Sequence, residues 1–412
     1  MPSPLLLITT NYPYTYRGGE VMFVAPEVQH LVRTFGALCV APQHALGECL
    51  DVPPGVEIDP TLAQALARAR VMSLLQALAW PGFWSELWRG LRCGGWIGGV
   101  RVWRWAALAQ TTYRWAQRRF GAATPVLFYT YWRGGSTLAL ARLAREHAGT
   151  QLVTRVHRYE LYEDSFDPPF QPWHPTQYHE LALTVTISQD GFDYLRRSGV
   201  PANRLALSRL GTAACLVPAG ASTDGVVRIV SCSFVIAVKR VPLIAQVLGA
   251  WARLNPARVL HWTHFGAGPE LGSVEAALRD APDNFRASLP GQVTNAQVMA
   301  HYAAEPVDAF VLLSASEGLP VSIQEAASAG IPVLATDVGG IREIVGDDNG
   351  VLLVATPTVD DAVAALERVL AGGPAMRAAS LRRWAADFDA ELNYRRFAQR
   401  LLELTRQPSR PE

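Results

Sequence analysis

Ser316-Glu317-Gly318-Leu319-Pro320-Val321-Ser322-Ile323-Gln324-Glu325 follows a β-type apolar run, Ala309–Leu313, and is followed by Gly330 and Pro332. A strand therefore ends in a loop at Glu317 and Gly318. A helix begins at Pro320, which needs no N–H partner in a first turn, and stops at Gly330. The backbone N–H groups of residues 318–322 point out of that helix start, at the carboxyl end of a strand, where open α/β sheets hold anionic ligands. Glu325 lies too far along the helix to cap it. Its carboxylate can instead accept two hydrogen bonds from a vicinal diol such as a ribose.

The same alternation of short β-rich runs and longer helical stretches extends in both directions. Leu5–Thr9, Leu38–Ala41, Val126–Thr130, Leu152–Arg155 and Leu183–Ile187 form one series of strands. Val226–Ser231, Val259–Phe265, Ala309–Leu313, Val333–Ala335 and Val351–Val354 form a second. The fold class is α/β, with two doubly wound domains joined near residues 212–225, where Gly, Ala, Ser, Thr and Pro dominate. The expected division is 1–213 and 214–387, followed by a C-terminal stretch, 388–412, with helical period over Phe388–Leu404.

Composition narrows the function classes. The chain of 412 residues is 50% hydrophobic and 18% charged, too apolar for disorder. Its 37 basic and 36 acidic residues leave a net charge of +1, which gives no reason to expect nucleic acid as a partner. Five scattered Cys without a C-x-x-C spacing argue against a disulfide framework and a thiolate metal site, and for a reducing compartment. The first residues carry no charged n-region and do not read as a signal peptide. The longest apolar candidate, Val71–Ser85, falls short of the ~20 residues that cross a bilayer, so no transmembrane helix is expected.

Of the 37 cations only Lys239 is Lys. It falls in Ser231-Cys232-Ser233-Phe234-Val235-Ile236-Ala237-Val238-Lys239-Arg240-Val241, a strand-to-helix loop on the ligand side of the second domain. A compact ammonium suits a diphosphate approached end-on. Between Trp80 and Arg119 lie seven of the 12 Trp and seven Arg against one acid, Glu86. Trp80, Trp84 and Trp88 are spaced as one helix face, although Pro81 and Gly82 put a helix start just inside that run. The stretch reads either as an aromatic and cationic surface for a bilayer interface or as a Trp-rich helix packed on its own domain.

Glu317-x7-Glu325 with the intervening Gly-Leu-Pro resembles the E-x7-E motif of retaining glycosyltransferase family 4, which has the GT-B fold. Tyr16-Arg17-Gly18-Gly19-Glu20 resembles that family's first-loop glycines. Thr154-Arg155-Val156-His157-Arg158-Tyr159-Glu160-Leu161-Tyr162 is similar to an element of the exopolysaccharide branch that includes amylovoran and colanic acid enzymes. Ser188–Gly191, Ser208–Gly211, His261–Gly266 and Thr336–Gly340 match further elements in order.

The resemblance implies two facing Rossmann-like domains with a donor cleft between them, and a last helix that returns to the first domain. It implies a nucleotide sugar as donor, a glycan acceptor that is lipid-linked, and a cytoplasmic enzyme; of the two readings of residues 80–119, the bilayer surface would make it peripheral on the inner membrane, and the packed helix would not. Gly18 and Gly19 would let backbone approach the donor, and Gly318, Leu319, Pro320 and Val321 would cradle its diphosphate. Lys239 would neutralise the leaving diphosphate, Glu317 would orient the donor sugar, Glu325 would hold the ribose, and His157 would bond the sugar near the reacting face. No cofactor and no catalytic metal are expected. Base contacts would come from backbone near Gln292–Val293.

Two positions depart from the pattern. Phe234 stands where many members have an Arg, and Arg240 where Gly is frequent. Either Arg209 or Arg240 supplies the second cation, or diphosphate binding is weaker. Competing readings are a GT-B sugar-nucleotide epimerase, a phosphorylase needing a PLP-bearing Lys, and a non-catalytic nucleotide-sugar-binding protein. His261 and His264 point to opposite faces of a strand and read as structural. Asp347-Asp348-Asn349-Gly350 reads as a turn, and Glu20 as a first-turn acid stabilising its helix.

Overall fold

The computed structural model describes residues 5–16, 20–69, 72–120 and 127–406, so Gly18, Gly19 and Val126 lie outside the described residues. The chain divides into two compact units, Met1–Ser208 with Tyr394–Glu412, and Arg209–Asn393.

The first unit is built on seven parallel strands: β1 (Leu5–Thr9), β2 (Leu38–Pro42), β3 (Val56–Ile58), β4 (Leu127–Thr130), β5 (Gln151–Val156), β6 (Leu183–Thr186) and β7 (Leu205–Leu207). They are ordered β3-β2-β1-β4-β5-β6-β7. Leu5 stands opposite both Leu38 and Leu127. A parallel sheet is covered on both faces, so its central strands read as unbroken apolar runs, and every residue of β1 is buried. Side-chain parity sorts the core. Leu6, Ile8 and Phe128 meet Val102, Ala106, Tyr113 and Leu138 on one face. Leu5, Leu7, Tyr129 and Val153 meet Val24, Val28, Leu31, Phe397 and Leu401 on the other. The last two belong to the C-terminal helix, Ala390–Arg406. Burying each such large side chain is worth about 1.5–3 kcal/mol.

The helix Phe83–Phe120 is broken at Gly95 (φ 56°, ψ −152°), where the chain turns back on itself. The glycines of this stretch explain the turn. A Cβ on Gly98 would stand 2.2 Å from the Gly90 carbonyl oxygen, and one on Gly99 would stand 2.8 Å from Leu91. The two arms therefore touch backbone to backbone, which a side chain would prevent. The helix starts inside the Trp80–Trp84–Trp88 run, as Pro81 and Gly82 imply, so the three do not share one helix face. Trp80 precedes the helix in extended backbone, is buried, and sets its ring edge-on to Tyr113. The Pro81-Gly82 pair separates it from the helix start. Trp84, Trp88 and Trp96 stay 63%, 63% and 74% exposed. Among the described residues no helix is long and apolar enough to cross a membrane.

The second unit has six parallel strands: β8 (Val226–Cys232), β9 (Val259–Phe265), β10 (Phe285–Gly291), β11 (Ala309–Leu312), β12 (Val333–Thr336) and β13 (Gly350–Leu353). Their order is β10-β9-β8-β11-β12-β13. Trp251, on the helix Val241–Leu254, and Trp262, on β9, are fully buried in its core. In each sheet the strand order reverses once, between β1 and β4 and between β8 and β11. Such switch points open a crevice at the carboxyl ends of the two strands, where ligands of open α/β sheets bind.

Candidate active site

The loops leaving β8 and β11 flank the switch point of the second sheet. After β8, residues Ser233–Ile236 lead to a short 3-10 turn, Ala237–Lys239, and then to Arg240 in left-handed backbone (φ 50°) before the helix Val241–Leu254. Glycines that follow β9 allow this path. A Cβ on Gly266 would stand 1.8 Å from the Ser233 oxygen, and one on Gly268 would stand 2.3 Å from that of Val235. The Ala315 N–H donates to the Val238 carbonyl at 2.7 Å and ties the two loops together.

This tie brings Lys239 to Glu317. The Lys239 Nζ donates to Glu317 Oε1 at 2.5 Å. Glu317 is buried, and its own backbone rests on Gly339 (φ 56°), where a Cβ would stand 1.9 Å from the Glu317 carbonyl. The Gly340 N–H donates to the Gly318 oxygen at 2.8 Å. Gly339-Gly340 thus fixes the Glu317 loop from the β12 side.

Pro320 lies one residue outside the helix Val321–Ser328, with extended backbone (ψ 118°), rather than in its first turn. The Gln324 N–H closes the first helical bond onto the Pro320 carbonyl. The N–H groups ahead of it have no acceptor within the helix, as at any helix start. Glu325 sits inside this helix and is 8% exposed. Its Oε1 accepts from Asn295 Nδ2 at 2.6 Å. Burial pushes the Glu325 carboxyl up to about 7, opposed by the Asn295 hydrogen bond. The carboxylate in turn helps raise the nearby Tyr302, whose buried hydroxyl has no hydrogen-bond partner among the described residues.

Of the two candidate second cations, Arg209 is ion-paired, whereas Arg240 meets only a neutral carbonyl. The Arg209 guanidinium reaches Glu343 at 2.8 Å and Asp387 at 3.7 Å. Arg240 Nη1 donates to the Ala355 carbonyl at 2.6 Å. Phe234 is 61% exposed, so the loop shows an aromatic ring where a second guanidinium was sought. His264 and His261 take different environments on β9. His264 is buried, bonded to Ser231 Oγ at 2.8 Å, and held down to about 4 by burial. His261 is only partly covered.

In the first unit, His157 follows β5 and caps the short helix Arg158–Leu161, its N–H donating to Glu160 Oε2 at 2.9 Å. Its ring lies on Tyr131 and Trp132, with centroids at 5.1 and 4.2 Å. Both ring nitrogens are buried and lack a hydrogen-bond partner among the described residues, although Nδ1 stands 3.6 Å from Glu160. Two residues before it, Arg155 is fully buried and paired with Glu27 at 2.7 Å.

Glu20 does more than stabilise a helix start. Its carboxylate accepts the N–H groups of Thr10 at 2.8 Å, Asn11 at 2.5 Å and Tyr12 at 2.8 Å, and the Trp132 indole at 2.5 Å. It thereby fastens the loop after β1 to the loop after β4, across the first sheet's switch point. Glu20 and Asn295 are the two site-shaping residues whose contacts sequence reasoning missed. For Asn295 the available signal was Thr294-x-x-Gln297, a capping box that places it at a helix start. A cavity of about 570 Å3 in the first unit, lined by Arg68, Arg114, Arg118 and Trp115 among others, takes no residue from either group.

Two doubly wound parallel-sheet units define the class: an α/β protein of GT-B fold. Residues 235–383, within the second unit, match the family model described as Glycosyl transferases group 1. The chain is 36% identical over 115 residues to the O-antigen biosynthesis glycosyltransferase WbnH of Escherichia coli, covering 28% of this chain and 30% of that protein. It is 35% identical over 125 residues to the 2-deoxystreptamine glucosyltransferase of Streptomyces kanamyceticus, covering 30% and 32%. The chain thus spans about a third of the length of these two curated relatives. The solved structure of the lipopolysaccharide outer core galactosyltransferase WaaB, in its apo form, superposes with a TM-score of 0.67 at 14% identity, covering 98% of this chain and 100% of that one. At that identity the likeness concerns the fold.

Proposed function

We propose that the chain is a retaining, metal-independent glycosyltransferase of family 4. It moves a sugar from a nucleotide sugar to a lipid-linked oligosaccharide in bacterial exopolysaccharide, capsule or O-antigen synthesis, at the cytoplasmic face of the inner membrane. The observation that carries this reading is the Lys239–Glu317 pair at the β8/β11 switch point, beside a helix start whose N–H groups suit a diphosphate. The group 1 match over residues 235–383 and the partial likeness to an O-antigen enzyme support it.

In the proposed reaction the bond from the sugar C1 to the diphosphate oxygen breaks, and its electron pair leaves with the diphosphate. The Lys239 ammonium and the helix start offset that growing charge. The acceptor hydroxyl bonds to C1 on the face the diphosphate leaves and passes its proton to a departing phosphate oxygen. Glu317 accepts a donor-sugar hydroxyl while holding Lys239 in place. Glu325 accepts the ribose hydroxyls. In the first unit, His157 offers its unpartnered ring nitrogens to a sugar hydroxyl.

A second reading, nucleotide-sugar binding without transfer, is favoured by Phe234, an exposed ring at the position where the second cation was sought. One experiment separates them. UDP-, GDP-, ADP- and dTDP-sugars are incubated with the protein, with and without a lipid-linked acceptor, and released nucleoside diphosphate is measured. Acceptor-dependent release that is lost in Lys239→Ala supports transfer. Binding without release supports the second reading. Donor conversion without acceptor points to an epimerase.

A further inference from the structure

The helix Asn295–Ala304 begins just beyond the carboxyl end of β10, on the edge of the second sheet where open α/β folds hold their ligands. Its first turn is fixed by a capping box. The Thr294 N–H donates to Gln297 Oε1 at 2.9 Å, and the Gln297 N–H returns to Thr294 Oγ1 at 3.3 Å. Thr294 thus serves the helix start, and the Asn295 amide is not spent on its own helix. Asn295 is exposed, yet its Nδ2 donates at 2.6 Å to the buried Glu325 on the helix Val321–Ser328.

Glu325 is short of donors. A carboxylate offers about four lone-pair sites, and buried acceptors are normally satisfied. Among the described residues the Glu325 side chain receives only the Asn295 bond, on Oε1, and Oε2 accepts none. The Lys239 ammonium is taken by Glu317. Two adjacent O–H donors fit this deficit, and a ribose 2′,3′-diol supplies them.

The electrostatics agree. Burial pushes the Glu325 carboxyl up to about 7, and the Asn295 bond pulls against it. The other titratable groups beside Glu325 are Tyr302, on the same helix as Asn295, and Cys232, at the end of β8. Burial drives the Tyr302 hydroxyl well above its usual value and the Cys232 thiol up to about 12, so both stay uncharged near neutrality. Asn295 is the donor that works against burial and keeps Glu325 a carboxylate.

We propose that Asn295 is a positioning residue of the nucleotide subsite: its amide holds one oxygen of Glu325 and leaves the other to a ribose diol, so that the site selects ribonucleotides over 2′-deoxy ones. This role rests on the proposed glycosyltransferase reading, in which Glu325 holds the ribose. It disfavours dTDP-sugars as donors, because they lack the 2′-hydroxyl.

Calorimetric titrations of the full chain with UDP, GDP and ADP, and with the 2′-deoxy form of the tightest binder, test this from about pH 6 to about pH 9. Wild type should favour the ribonucleotide at least ~10-fold, as a site built to bond a hydroxyl rejects the analogue without it. Asn295→Ala should cut that preference at least ~3-fold, mainly through the ribonucleotide, and move the rise of affinity with pH upward by about half a pH unit or more. Asn295→Asp keeps the shape, removes the donor and sets a like charge beside Glu325, so it should do the same or worse. In a Glu325→Gln background, Asn295→Ala should change the preference less than ~2-fold, because it acts through that carboxylate. Far-UV circular dichroism should stay unchanged, since Asn295 is exposed and Thr294 keeps the cap. An unchanged preference and pH profile in Asn295→Ala, an equal loss for both nucleotides, or a wild type indifferent to the 2′-hydroxyl overturns the role of Asn295 and leaves the glycosyl-transfer reading standing. A wild type that binds none of the three diphosphates overturns both.

Discussion

Lys239 and Glu317, 78 positions apart in sequence, close an ion pair of 2.5 Å across two adjacent strand ends. The pair gives Lys239 a fixed direction and gives a buried carboxylate its partner. Lys239→Ala should lower kcat by about 10²–10³-fold, the cost of losing one preorganised charge aimed at a developing anion. Lys239→Arg should not restore it, because a planar fork cannot replace a point charge on a short reach. Steady-state kinetics with the matching donor measures both, and near-wild-type kcat in either variant would count against the site.

Glu325 makes a pH prediction. Its carboxyl is raised to about 7 from 4.5, chiefly by burial, so between those values the native state holds a proton that the unfolded chain has released. Stability should therefore fall as pH rises across that window and level off above it, by up to ~3 kcal/mol if no other group compensates. A carboxylate accepts ribose hydroxyls better than a carboxylic acid, so nucleotide affinity should rise over the same range. Glu325→Gln should flatten both profiles. Denaturant titrations and calorimetric nucleotide binding from about pH 5 to about pH 8 read the two trends.

Glu20 should matter out of proportion to its place in a loop. Glu20→Ala removes the acceptor for three backbone N–H groups and one indole. The expected loss is about 2–4 kcal/mol, since several charge-assisted bonds are broken and buried donors are left unpaired. Hydrogen exchange should localise the effect to residues 10–12. A uniform change across the chain would contradict that assignment.

Gly98→Ala tests the turned helix. The added Cβ meets a backbone oxygen at 2.2 Å, which no rotamer change can relieve. Destabilisation of about 1–3 kcal/mol or more is expected in chemical denaturation. Val100→Ala on the same arm, at an exposed position, should cost less than ~0.5 kcal/mol.

The strand–helix alternation was legible because central parallel strands are nearly unbroken apolar runs, as Leu5–Thr9 and Ala309–Leu312 show. β3 and β7 escaped notice because three residues carry no period. β10 escaped because it is an edge strand with mostly exposed side chains and Pro290 near its end. The motif placed Lys239 and Glu317 in ligand-side loops. Their contact depends on β8 and β11 being neighbours, which strand order decides and local pattern does not. The five glycines around residue 95 were visible as letters, but the meeting of Gly90 with Gly98 is a property of folded backbone. The helix start just after Pro81-Gly82 was legible too, because that pair interrupts the Trp80–Trp84–Trp88 spacing.

The first unit is assembled from two distant pieces of chain. Phe397 packs on Tyr129 at 5.4 Å and beneath the Arg155 guanidinium at 4.3 Å, and Gln151 donates to the Leu404 carbonyl at 3.1 Å. During synthesis the first seven strands must wait, with part of one sheet face uncovered, until the ribosome has delivered everything between them and the closing helix. Sequence exchange between relatives would therefore have to move both pieces together, and a nascent chain stalled anywhere in the second unit would display that bare face to chaperones.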